Sequence, residues 1–264
     1  MKKVLFATIL LFFVGCATTT NPGVVGANRS QMLLVSAEKM DQGAAAAYTQ
    51  VLKSASSKKA LNTDPVQTKR VRGIADRLIN EVGVFRADAK NWDWQVNVIR
   101  EDTVNAWCMP GGRIAVYTGI INKLNLTDAE LSAIVGHEMA HALREHSREK
   151  ASRDYAKNAG IFAVGILTGS DAIANLANTV AEYTISLPFS REQEIEADNI
   201  GTELMARAGY NPEAAANVWV KMKRLNQKQP LEFMSTHPSH ENRVENLTKI
   251  AKKVMPLYQS RVKI

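Results

Sequence analysis

Two histidines four residues apart with a glutamate beside the first, His137-Glu138-Met139-Ala140-His141, are the residues of this 264-residue chain best suited to chemistry. On a helix, side chains four apart lie on one face, about 40° apart around the axis, so two imidazoles can reach the same ion. Glu138, one step round, then points at the open side of that ion. This is the arrangement of metal-assisted peptide hydrolysis, with zinc as the metal. Such a site needs a rigid mount, and the flanking sequence predicts one. The stretch from Ala129 to Glu145 is made largely of good helix formers. Thr127 with Glu130 forms a capping box, and Leu131, Ile134, Val135 and Leu143 supply apolar packing.

A short motif also recurs by chance, and zinc requires a third protein ligand, so a suitably placed carboxylate, His or Cys must follow. Ser190-Arg191-Glu192-Gln193-Glu194-Ile195-Glu196-Ala197-Asp198 opens a second predicted helix, with Glu194 and Asp198 on one face. A solvated acidic face is the plainer reading of that run taken alone. In this order, however, the two motifs resemble those of the gluzincin metalloproteases of the CAAX prenyl protease, HtpX and Oma type. Two further segments carry the same resemblance. Asn105-Ala106 with Pro110-Gly111-Gly112 is similar to the family's hairpin, which precedes the zinc helix and offers an edge strand to substrate. His237-Pro238-Ser239-His240-Glu241-Asn242-Arg243 is similar to its downstream His-Pro segment ending in Arg. The match runs from about Pro65 to Leu247.

The resemblance implies roles. His137, His141 and Glu194 form a two-His, one-carboxylate set for a single Zn2+, leaving a fourth position open to water as catalytic zinc requires. Glu138 is the general base, taking a proton from the attacking water and passing it to the leaving amine. Asp198 accepts a hydrogen bond from a ligand imidazole and so fixes its tautomer. His237 is expected to stabilise the oxyanion and Arg243 to hold substrate backbone. A structural histidine before proline, and an arginine paired with a carboxylate at a helix start, are the alternatives for these two. Asn105 and Ala106 would hold substrate along the edge strand, with unfolded or misassembled cell-envelope proteins as substrates.

The first residues say where this would happen. Lys2 and Lys3 precede an apolar run from Val4 to Val14, broken only by Thr8 and too short for a permanent span. Residues 1–15 therefore read as a signal peptide. Phe13-Val14-Gly15-Cys16 resembles a bacterial lipobox, which implies a lipidated Cys16 and an anchor without a spanning helix; an ordinary signal peptide cut nearby is the competing reading. Ala17 after the cysteine implies the outer membrane, facing the periplasm. Loss of residues 1–15 changes the balance of basic over acidic residues from 33 against 26 to 31 against 26. Charges of both signs are interspersed, which speaks against nucleic acid as a partner. With Cys16 lipidated, Cys108 has no intramolecular partner. It reads as a small buried residue, or as a thiol aimed at the zinc that holds the enzyme latent.

Residues 16–29 read as the lipidated cysteine and a polar tether, and residues 30–264 as one metallopeptidase domain. Within it, an Ala-rich helix from about Ser30 to Ser54 precedes one starting at Asp64-Pro65, with a stripe of Val71, Ile74, Leu78 and Val82. Trp94 to Ile99 alternates as a strand, and the Pro110-Gly111-Gly112 turn joins two more. The expected fold is α+β, a mostly helical zincin whose small antiparallel sheet carries the edge-strand hairpin beside the zinc helix. Apolar stretches at Ile161 to Leu167 and Ile173 to Val180, punctuated by Gly160, Gly165 and Gly169, read as core helices or as a gate over the cleft. A partner protein that opens the cleft is a further expectation. The function this supports is a zinc endopeptidase of envelope quality control. A zinc-regulated chaperone or assembly factor binding polypeptide at the same cleft is the alternative.

Overall fold

The computed structural model describes residues 17–157, 172–239 and 241–263. The leader, Cys16 and the Ile161–Leu167 stretch with its three glycines lie outside the described residues. Helix α1 (Ala37–Ser57) starts where the Ser36 side chain accepts from the Lys39 amide, and buries Met40, Ala44, Ala47 and Tyr48 on one stripe. It starts later than the sequence suggested, because residues 30–36 belong to the segment before it. Helix α2 (Pro65–Ile79) has proline in its first turn and Asp64 as its cap, with Val71, Ile74 and Leu78 buried.

Three strands follow: β1 (Gln95–Ile99), β2 (Ala106–Met109) and β3 (Arg113–Tyr117). Gly111 and Gly112, at φ of 77° and 86°, make the turn between β2 and β3. The sheet order is β1-β3-β2, with β2 antiparallel and β1 parallel to β3. The hairpin is thus antiparallel as expected, but the sheet as a whole is mixed. β3 is the strand whose Ile114, Ala115 and Val116 are wholly buried, and the central position gives both its edges a ladder. Helix α3 (Thr118–Lys123) leads to the zinc-motif helix α4 (Asp128–Leu143), which packs against α2 and β2.

Helix α5 (His146–Lys157) and helix α6 (Ala172–Ala181), the latter packed on α1, precede a π-helical turn at Glu182–Ser186. Then come α7 (Arg191–Arg207), α8 (Ala214–Asn226), the short α9 (Glu232–Thr236) and α10 (Arg243–Val262). Helix α4 is sandwiched between the sheet and the pair α7 and α8, so the core runs through it. A second apolar cluster gathers α1, α6 and the other face of β2, where Trp107 meets Tyr48 edge-on. Among the described residues no helix is long and apolar enough to cross a membrane.

Residues 17–29 do not form a free tether. Ala17 bridges to Gln31, the Asn21 amide donates to the Phe85 carbonyl, and the Val25 amide donates to Glu203 Oε2. Arg29 reaches both Glu149 and Glu196. Polar composition suggested solvent, yet Val25 and Arg29 find buried partners on α5 and α7.

Candidate active site

Helices α4 and α7 carry most of the site, and both begin as their sequences require. Thr127 and Glu130 form one capping box and Ser190 and Gln193 a second, so the start of each helix is fixed, that of α7 about one turn before Glu194. The helices cross in backbone contact at Gly136 and Gly201, where a Cβ on Gly136 would lie 2.9 Å from the Gly201 carbonyl oxygen. His137, Glu138, His141, Glu194 and Asp198 are all buried around that crossing.

His137, His141, Glu194 and His237 each present one donor atom to a common point, with all four atoms within 4.8 Å of one another. His137 Nε2 is 3.1 Å from His141 Nε2 and 3.2 Å from His237 Nδ1. Glu194 Oε1 lies 3.0 Å from His237 Nδ1 and 3.4 Å from His141 Nε2. A tetrahedral ion with bonds of about 2.0–2.1 Å would set its donors about 3.3 Å apart, so the residues present fit zinc. The protonation states of His141 and Glu194 also fit. Burial depresses the His141 pKa well below that of an ordinary histidine, leaving a neutral imidazole. For Glu194, burial acts upward, but His237 and Arg243 outweigh it and hold the carboxyl well below the usual range.

Outside the donor set, Asp198 Oδ1 is 3.0 Å from His137 Nδ1. His141 is held differently: its Nδ1 is 2.9 Å from His146 Nδ1, and Phe189 stacks on its ring at 3.9 Å between centroids. Glu138 is buried; its Oε1 has no hydrogen-bond partner among the described residues, with His237 Nε2 3.4 Å away, and burial raises its pKa.

Two residues stand elsewhere than expected. His237, read as an oxyanion donor, joins the metal donors: α9 is hung from the Val104 carbonyl by the Phe233 amide, and Phe233 stacks on the His237 ring. Burial opposes protonation of His237, but facing Glu138 and Glu194 raise its pKa. Arg243, read as a substrate contact, is buried at the start of α10 and its terminal nitrogens lie 2.7 Å from Glu194 Oε2 and 2.8 Å from Asp198 Oδ1. Its guanidinium lies over the Trp219 ring at 3.2 Å. The alternative reading, an arginine paired with carboxylates at a helix start, matches this position.

Ala106 opens β2 and Asn105 immediately precedes it; the strand is at the edge by sheet order but buried rather than open. The Asn105 side chain donates to Glu232 Oε1 at 2.9 Å and accepts from the Ala106 amide at 2.9 Å. Cys108 is packed in the core, where burial pushes its thiol up. His146, Phe189 and the two crossing glycines were missed in the sequence. Glycines inside otherwise good helices, each unfavourable by about 1 kcal/mol, were the available signal for the crossing.

Residues 65–251 match peptidase family M48. The chain belongs to peptidase family M48. A mitochondrial metalloendopeptidase OMA1 of Schizosaccharomyces pombe is 32% identical over 222 residues, covering 83% of this chain and 63% of that protein. The OMA1 of Arabidopsis thaliana is 39% identical over 150 residues, 57% of this chain and 30% of that protein. Metalloprotease LoiP of Escherichia coli is 28% identical over 182 residues, 68% of each. The chain thus spans from under a third to just under two thirds of the two OMA1 proteins. Within the M48 match lie the zinc donor set, Glu138 and the β2–β3 hairpin.

Proposed function

We propose that this M48 member is a zinc endopeptidase that cleaves unfolded or misassembled proteins of a bacterial cell envelope. The observation that carries the reading is the convergence of His137, His141 and Glu194 beside the buried carboxylate of Glu138. Zinc, when bound, polarises a peptide carbonyl and makes water a usable nucleophile near neutral pH. Glu138 Oε1 takes and returns the proton, a task favoured by burial that raises its proton affinity. Asp198 holds His137 in the tautomer that leaves Nε2 free, and Arg243 holds the Glu194 and Asp198 carboxylates in place. An extended substrate would pair with β2, where its main chain supplies the contacts and specificity is broad.

In the described state His237 stands in the fourth donor position and β2 is covered. Cleavage therefore requires His237 to yield its place and the strand to open, by motion of the chain or by a partner. The same two observations favour the second reading, a chaperone or assembly factor with its zinc position blocked. Metal content and casein cleavage, compared between wild type and Glu138→Gln, separate them: a protease loses cleavage and keeps zinc, and a binder cleaves in neither form.

The lipid anchor at Cys16 and placement at the outer membrane are part of the proposal. Cys16→Ser should abolish incorporation of labelled fatty acid and release processed protein from membranes; labelled lipid in that variant would refute the anchor.

A further inference from the structure

The two histidines of the zinc motif are held from behind in different ways. His137 Nδ1 meets the Asp198 carboxylate directly, whereas His141 Nδ1 meets another imidazole, His146, at 2.9 Å. His146 is fully buried at the start of α5, and its Nε2 lies 3.1 Å from Glu196 Oε2. Only one arrangement of protons serves this row. His141 must leave Nε2 bare to bind metal, so its proton is on Nδ1 and is donated to His146 Nδ1. His146 then carries its own proton on Nε2 and donates it to Glu196. The opposite order would turn a bare nitrogen towards a carboxylate.

Glu196 is itself fixed on both oxygens. Arg144 Nη2 donates to Oε1 at 2.7 Å, and Arg29 Nη2 to Oε2 at 2.8 Å. Arg29 also holds Glu149 through both terminal nitrogens, and its carbonyl accepts from Arg144. The row from His141 thus ends on the N-terminal segment, which packs beside α5 and α7. We infer that His146 is a positioning residue for His141, acting with Glu196, and that Arg29 of the N-terminal segment completes this support of the metal centre. The inference rests on the zinc reading but not on protease activity. Partners of this kind fix the ring and raise its basicity, and their loss typically weakens metal binding by about 10–100-fold.

The test uses zinc affinity by chelator competition and the visible absorption of the cobalt-substituted full chain, with folding followed by circular dichroism. His146→Leu should weaken zinc binding by about 10–100-fold and shift the cobalt bands. His146→Asn, whose Oδ1 can accept from His141 Nδ1, should recover most of the affinity. Arg29→Ala should give a smaller loss in the same direction. A folded His146→Leu protein with unchanged affinity and cobalt spectrum overturns the inference, since a residue that only packs would alter stability and neither readout. Should His146→Leu not fold, Arg29→Ala decides, and an unchanged affinity and spectrum there overturns it. Wild-type protein that takes up neither metal overturns this inference together with the zinc reading, whereas normal wild-type uptake with an unaffected variant overturns this one alone.

Discussion

Gly201 on α7 lies so close to His137 on α4 that a Cβ on Gly201 would come 2.7 Å from the His137 backbone nitrogen and 2.8 Å from the Gly136 carbonyl carbon. Those are main-chain atoms and cannot rotate aside. The absence of a side chain is thus what allows one helix to bring Glu194 and Asp198 to the histidines of the other. Gly201→Ala is expected to destabilise the fold by about 1–3 kcal/mol, as overpacking does, despite alanine's better helix propensity. It should also lower zinc content. Thermal unfolding and metal analysis check this, and a variant as stable and zinc-loaded as wild type would show the crossing to be slack.

The donor set predicts unequal effects. His137→Ala, His141→Ala and Glu194→Ala each remove one of the three proposed ligands and should abolish both stable zinc binding and cleavage. His237→Ala leaves those three in place, so it should retain zinc with reduced affinity. Zinc lost as completely from His237→Ala as from His141→Ala would make His237 an indispensable ligand.

Ala106→Pro tests the path of substrate. The substitution removes the amide that donates to Asn105 Oδ1 and restricts residue 105, while every zinc donor stays. The folded variant is expected to keep near-normal zinc and lose most cleavage of unfolded protein. Unchanged cleavage would mean that substrate runs elsewhere than β2.

Acid should weaken the N-terminal clasp. Burial acts upward on both Glu149 and Glu196, but Arg29 on the first and His146 with Arg144 and Arg29 on the second bring each down from 4.5 to about 2. A carboxyl with a depressed folded-state pKa contributes stability that is complete above its unfolded value and disappears as pH falls through its folded value. The stability from these two groups is thus lost between about pH 4.5 and about pH 2. Arg29→Ala should flatten that acid dependence. Urea unfolding of both proteins across this range measures it, and superimposable acid limbs would contradict the role given to Arg29.

What the sequence revealed was local. His137, Glu138 and His141 share one helix, Glu194 and Asp198 another, and the capping boxes at Thr127 and Ser190 mark where each starts, so spacing alone carried these relationships. His146 could not be read that way. On a continuous helix it would lie about 140° round from His141, far from its ring. Instead α4 stops, Glu145 takes a φ of 51°, and α5 starts at His146, which returns the imidazole to its neighbour. The position of His237 depends on α9 hanging from Val104, and that of Arg243 on α10 docking against α7 and α8, contacts between residues distant in sequence. Residues 17–29 looked like solvent-facing chain because their partners, Glu149, Glu196 and Glu203, are equally polar and lie far along the sequence.

The most direct measurement of the central claim is zinc content and casein cleavage of the purified protein beside Glu138→Gln. The account predicts about one zinc per chain in both, with cleavage falling by at least about 10²–10⁴-fold in the variant, the scale of a lost general base. Undiminished cleavage by zinc-loaded Glu138→Gln, or a wild-type protein that holds no zinc, would contradict it.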